Sequence, residues 1–200
     1  MYKKIFATFY DPFMVSIEKG IGPRREALLS PLTGKILDVG CGTGVNFQYF
    51  REDAEVIAIE PSSAMLAYAK KKLSQYPNIK TYNLGVNNPQ MEEIVSPKSM
   101  DYVVSTLVLC TIPNPKQAIE NYKKWLKPTG KLIVLEHIKS ENKLFGSMQE
   151  ILNPVWNGLA DGCNLNRHTD EYILEAGFKP DAHFYSGNKL RWIQGIYSLS

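Results

Sequence analysis

The chain is short of cysteine, of net charge and of long apolar runs, and each shortage removes a class of protein. Its three cysteines, Cys41, Cys110 and Cys163, are odd in number and show no CxxC spacing. That argues against a disulfide framework or a zinc knuckle, and leads to the expectation of no metal and of a reducing, cytoplasmic setting. Twenty-three Lys plus Arg against 20 Asp plus Glu leave only +3 over 200 residues, too little and too dispersed to favour nucleic acid as a partner. The longest apolar stretch, Tyr102 to Ile112, falls well short of the roughly 20 residues of a spanning helix and reads as a buried strand with its exit loop. Met1-Tyr2-Lys3-Lys4-Ile5-Phe6 faintly resembles a signal peptide, but Asp11-Pro12 interrupts it and no small-residue cleavage site follows; the segment reads as part of the mature protein. Internal repeats and low-complexity segments are lacking too.

What is present suits one globular domain over residues 1–200: 44% of residues are hydrophobic and 22% charged. From Lys35 onward, short β-rich runs alternate with helical spacing. Candidate strands are Lys35–Val39, Glu55–Ile59, Ile79–Asn83, Asp101–Thr106 and Lys131–Glu136. Helices are predicted over Ser62–Ser74, with Ser62 or Ser63 able to cap, over Pro115–Leu126, and from Thr169 to a stop at Gly177. The tail, Ala182–Tyr185 and Trp192–Ser198 around Ser186-Gly187-Asn188, predicts a closing hairpin. Together these give an α/β fold: a doubly wound, seven-stranded, mostly parallel sheet with an antiparallel last strand and helices on both faces. Residues 1–34 are expected to form a helical cap. The interruption over 137–168 is expected to cover a substrate, because it exceeds ordinary connections.

The strongest motif is Leu37-Asp38-Val39-Gly40-Cys41-Gly42-Thr43-Gly44. Three glycines at alternate positions leave a strand and enter a helix, letting the backbone turn sharply and approach a ligand closely. The spacing is GxGxG, not the GxGxxG that cradles a pyrophosphate. Glu60, about sixteen residues beyond Gly44 at the next strand end, is placed to accept from both hydroxyls of a ribose.

This arrangement, over roughly residues 35 to 136, resembles the class I, Rossmann-like methyltransferases that use S-adenosylmethionine (SAM). The resemblance implies SAM as cofactor and S-adenosylhomocysteine as product. Its implied binding set includes Asp38, Cys41 and Asn46, with Gly40, Gly42 and Gly44 facing the methionine part, Glu60 on the ribose, and Pro61 and Met65 beside the adenine. Asn87 or Asn88 would approach the adenine amino group, where Asp or Glu is commoner, and Leu107 would touch the sulfonium region. Thr106-Leu107-Val108-Leu109-Cys110, Leu135-Glu136-His137, Asn153-Pro154-Val155-Trp156 and Asp161-Gly162-Cys163-Asn164-Leu165 are similar to the methyltransferase-like seven group of thiol S-methyltransferases. Members of that group carry an N-terminal membrane anchor, of which this chain shows no transmembrane equivalent. The Tyr10-Asp11 pair resembles the entry segment of quinone and phospholipid methyltransferases, which adds Tyr10 to the cofactor set and keeps peripheral membrane contact open.

The expected activity is therefore methyl transfer to a small-molecule nucleophile, foremost a thiol or sulfide sulfur. A phospholipid amine or quinone ring is the alternative, and a non-catalytic SAM-binding module a third reading. A thiol with a pKa of about 8.5 has to lose its proton, so a base or positive charge beside it would help. His137, expected just after the fifth strand on the carboxyl edge of the sheet, is the first candidate base, with Glu136 to orient it or line the substrate pocket. Cys163 and Arg167 are expected to close over the site.

Overall fold

A computed structural model describes residues 17–200; Tyr10, Asp11 and the N-terminal aromatics lie outside the described residues. A helix over residues 17–29 (α1) precedes β1 (Lys35–Val39). There follow β2 (Glu55–Ile59), α2 (Ser63–Lys72), β3 (Ile79–Tyr82), α3 (Met91–Ile94), β4 (Met100–Thr106), α4 (Pro115–Trp125) and β5 (Leu126–Ile138). The chain closes with α5 (Lys143–Leu159), α6 (Thr169–Glu175), β6 (Phe178–Ser186) and β7 (Arg191–Leu199). The strands form one seven-stranded sheet in the order β3-β2-β1-β4-β5-β7-β6. The first five pair in parallel, and β7 runs antiparallel to both β5 and β6, as the hairpin signal predicts.

Alternation along the strands feeds two apolar layers, because successive side chains leave opposite faces. Leu37, Val103 and Leu132 pack on Ile119, Tyr122 and Trp125 of α4. Ile36, Val104 and Ile133 face Leu28 and Leu29 of α1 and Leu66 and Ala69 of α2. Burial of each such side chain stabilises by about 1.5–3 kcal/mol, and cover on both faces is what a parallel sheet requires.

Local chemistry sets the helix starts. Ser62 Oγ accepts from Met65 N, which decides the Ser62-or-Ser63 alternative. Asn114 Oδ1 accepts from Gln117 N with Pro115 at the first turn. The 17-residue α5 departs from expectation, since residues 137–168 read as irregular. Asn142 caps it by accepting from Leu144 N and Phe145 N, and Pro154 lies within it. Its apolar ridge Leu144, Met148, Ile151, Leu152, Val155 and Leu159 is exposed, 76% at Ile151, while Gly146 and Gln149 are buried. The helix thus presents the reverse of a core-facing pattern. Among the described residues no helix is long and apolar enough to cross a membrane.

The strand order reverses between β1 and β4, whose carboxyl ends diverge towards opposite sides of the sheet. Open α/β sheets place their ligand crevice at that point.

Candidate active site

A cavity of about 980 Å³ opens there, walled by residues from the ends of β1, β2, β4 and β5 and by the chain after α5. That size accommodates a nucleoside-sized ligand together with a small second molecule. Gly40 and Gly42 line it, and both have left-handed backbones, φ 67° and 56°. A Cβ at Gly40 would lie 2.1 Å from Val108 Cγ2, so this glycine lets β1 meet the loop after β4. At Gly42 the nearest atom would be Met65 Cε at 3.5 Å, so that position leaves room beside the wall. Gly44 does not line the cavity; its Cβ would lie 2.8 Å from the Phe47 ring. Cys41 is also away from the wall, buried in the core, where desolvation pushes its thiol up.

Glu60 ends β2 at the wall, with Oε1 accepting from Ser62 N at 2.7 Å and Oε2 from Gly42 N at 3.1 Å. The acid and the glycine loop therefore hold each other's position. Pro61, Met65, Asn87, Asn88 and Leu107 line the same cavity. The side chain of Asn87 is engaged at both ends, donating to Asn114 O and accepting from Asn121 Nδ2, while Asn88 Oδ1 accepts from Gln90 N. Each asparagine oxygen thus has a partner within the fold.

Behind the glycine loop lies a buried polar network. Asn46 Nδ2 donates to Asp38 Oδ1 at 2.7 Å and to Thr106 Oγ1 at 3.0 Å. Arg25, 3% exposed, donates to Asn46 Oδ1 and Thr106 Oγ1 and forms an ion pair with Glu18. Asp38 and Asn46 stand outside the cavity lining. Asp38 Oδ2 has no partner among the described residues, and burial raises the carboxyl pKa to about 7 against the pull of Asn46 and Arg25. Arg25 and Glu18 carry no sequence signal, being helical charges about as common on any surface.

At the other end, Leu107 takes φ 56°, uncommon for a branched side chain. The bend turns Val108 N and Leu109 N onto Glu136 Oε1, both at 2.9 Å, where Ser105 Oγ also donates. Glu136 is fully buried and away from the cavity lining, with its pKa raised by burial. It fastens the loop after β4 and does not orient His137, because neighbours in one strand point to opposite faces. His137 lies inside β5, not after it. It faces the cavity, edge-on to Trp192, with Nε2 3.2 Å from Cys163 Sγ.

Cys110 joins that pair, so that donor atoms of Cys110, His137 and Cys163 all lie within 4.8 Å of one another and all three line the cavity. The Cys163 thiol is held well below its ordinary range by a hydrogen bond from Cys110 and then by His137, while Cys110 is pushed up as the donor. Burial is the largest single influence on the His137 pKa and lowers it, but the bond to Cys163 and the negative charges of Cys163 and Glu136 together outweigh it and raise it. Arg167 lies outside the lining; its Nη1 donates to Leu109 O and Ile112 O, fixing the Cys110 loop. Cys110 lies 53 residues before Cys163, and no linear spacing in the sequence links the two.

Residues 37–132 match a methyltransferase domain family. Over 185 residues the chain is 30% identical to the human thiol S-methyltransferase TMT1A, an alignment covering 88% of this chain and 76% of that protein. It belongs to the class I SAM-dependent methyltransferases. The methyltransferase is also similar to the ubiquinone/menaquinone biosynthesis C-methyltransferase UbiE of Campylobacter jejuni, 30% identical over 115 residues, 54% of this chain and 46% of that protein. Geranyl diphosphate C-methyltransferase from Streptomyces coelicolor, solved with S-adenosyl-L-homocysteine, superposes with a TM-score of 0.68 at 10% identity. The superposition covers 90% of the methyltransferase and 76% of that chain and shows a shared fold. SAM is the cofactor of the methyltransferase, and the donor set on the wall fits it: a carboxylate at Glu60, close backbone at Gly40 and Gly42, and an apolar flank at Met65.

Proposed function

We propose that this enzyme transfers the methyl group of SAM to the sulfur of a small thiol or sulfide. The observation that carries the reading is the convergence of Cys110, His137 and Cys163 on the wall of the cavity that also holds Gly40, Gly42 and Glu60. Similarity to a thiol S-methyltransferase supports it. SAM brings a methyl group on a positively charged sulfur, and transfer needs an acceptor lone pair in line with the methyl–sulfur bond. In this reading Glu60 accepts from the ribose hydroxyls, Pro61 and Met65 flank the adenine with Asn87 and Asn88 at its edge, and the buried Asp38 carboxyl acts on the cationic amino-acid end by its charge from behind the glycine loop. Leu107 bounds the reacting region, and Trp156 and Trp192 exclude water. The acceptor proton has to leave, and His137 with Cys163 assists that loss.

Incubation of the purified chain with SAM and a panel of alkyl thiols, aryl thiols and sulfide is expected to release S-adenosylhomocysteine with at least one of them. Silence across the whole panel overturns the assignment.

A second reading, methylation of a phospholipid amine or a quinone ring, is favoured by the apolar ridge of α5. Leu159 belongs both to that ridge and to the cavity wall, so an acceptor dissolved in a lipid surface would enter beside it.

A further inference from the structure

We propose that Cys110, His137 and Cys163 form a metal site, a Cys2His set for one Zn2+ whose fourth position faces the cavity and takes the acceptor thiol as thiolate. The inference rests on the thiol reading above and adds how the sulfur is activated. Three separate elements supply the donors: the loop after β4, strand β5 and the turn after α5. Their atoms lie within 4.8 Å of one another, with His137 Nε2 3.2 Å from Cys163 Sγ. Bonds of about 2.3 Å to sulfur and 2.0–2.1 Å to nitrogen put tetrahedral donors roughly 3.5–3.8 Å apart. Side-chain rotations that move the donor atoms by up to about 1 Å bring the set to that spacing.

The surroundings hold these donors in place. Asn164 donates to Cys110 O through both its backbone N and its Nδ2, each at 2.9 Å, tying the two cysteine loops together. Asn153 and Asn157 of α5 donate to Asn164 Oδ1, and Asn157 Nδ2 also donates to Gly162 O. The turn itself takes left-handed backbone at Asp161, φ 47°, and Gly162, φ 88°. Such outer contacts orient metal ligands and are costly to remove.

All three donors line the cavity, so a molecule bound there can reach the fourth position. Three protein ligands plus one open position is the arrangement of catalytic rather than structural zinc. Two thiolates neutralise the ion, so an arriving thiol, R–SH, binds as R–S⁻ and releases its proton to solvent. The methylated product, a neutral thioether, is a weaker ligand and leaves.

The test is a titration of the chelator-stripped full chain with Co2+ and then Zn2+. One equivalent of Co2+ is expected to bind with a thiolate-to-cobalt band in the near ultraviolet and the visible bands of a tetrahedral site. Zn2+ should displace it, and 2-mercaptoethanol should strengthen the charge-transfer band as a third thiolate joins. Cys110→Ser and Cys163→Ser are each expected to halve that band, and His137→Gln to weaken binding by more than the roughly 10–100-fold lost with an outer partner. Mass mapping of the unmodified chain gives an independent readout, with Zn2+ protecting Cys110 and Cys163 from alkylation. A spectrum lacking the thiolate band, or unchanged in both serine variants, overturns the site; so does a Cys110–Cys163 disulfide in place of metal uptake. Full-rate thiol methylation by zinc-free chain overturns the inference and leaves the thiol assignment intact. A cobalt spectrum as described with no turnover on any thiol overturns the assignment and leaves the site.

Discussion

Gly40 and Gly42 differ by two positions and share a left-handed backbone, yet they answer to different neighbours. A methyl group at Gly40 would sit 2.1 Å from Val108 Cγ2, so Gly40→Ala is expected to cost about 3 kcal/mol or more in urea unfolding, with partial recovery in Gly40→Ala/Val108→Ala. Gly42→Ala meets Met65 at an ordinary 3.5 Å. It should cost only about 1–2 kcal/mol of backbone strain while weakening SAM binding measured by calorimetry. Asp38 supplies a pH dependence. Its folded pKa of about 7 stands above the ordinary 3.8, with burial the main cause. The ligand-free fold then retains a proton that the unfolded chain releases, so its stability is fully present below about pH 4 and falls as pH rises towards 7. A cation held in front of the glycine loop favours the ionised form, so SAM affinity is expected to rise over the same window. Asp38→Asn should flatten both trends in denaturation and binding series at pH 4 to 8.5.

At the scale of elements, β5 does two jobs with adjacent side chains. His137 faces the cavity, and Glu136 fastens the loop that carries Leu107, Val108 and Leu109. Glu136→Gln keeps an oxygen acceptor and is expected to retain most of the fold. Glu136→Ala leaves Val108 N, Leu109 N and Ser105 Oγ without their partner and should lower stability by about 3 kcal/mol or more. If the role is positioning, the glutamine variant lowers kcat more than it raises the KM for SAM. The strand periodicity was legible in the sequence because both faces of a parallel sheet demand apolar residues. The Glu136 clamp was not legible, since an acid at a strand end reads equally well as a ligand to substrate.

The whole molecule carries one feature that local chemistry leaves unexplained, the outward apolar ridge of α5 beside the cavity mouth. Exposed contiguous apolar surface of this kind marks an interaction face. If the ridge meets lipid, the chain is expected to cosediment with anionic vesicles, and Ile151→Lys/Val155→Lys to abolish that while leaving the fold intact by circular dichroism. Equal partition of the two proteins would rule the lipid role out. The helix escaped detection because its apolar positions neither pack on the core nor run free of proline, and Pro154 interrupts the pattern by which helices are recognised.

Composition and short-range pattern were enough to determine the sheet, the direction of its strands and the glycine turn, because each depends on residues within a few positions of one another. Only the tertiary structure decided that Arg25 and Glu18 buttress Asp38 and Asn46, that Glu136 turns inward, and that Cys110 meets His137 and Cys163. Those meetings join residues 21 to 81 positions apart, and a chain sets such contacts by packing its layers, not by spacing along its length.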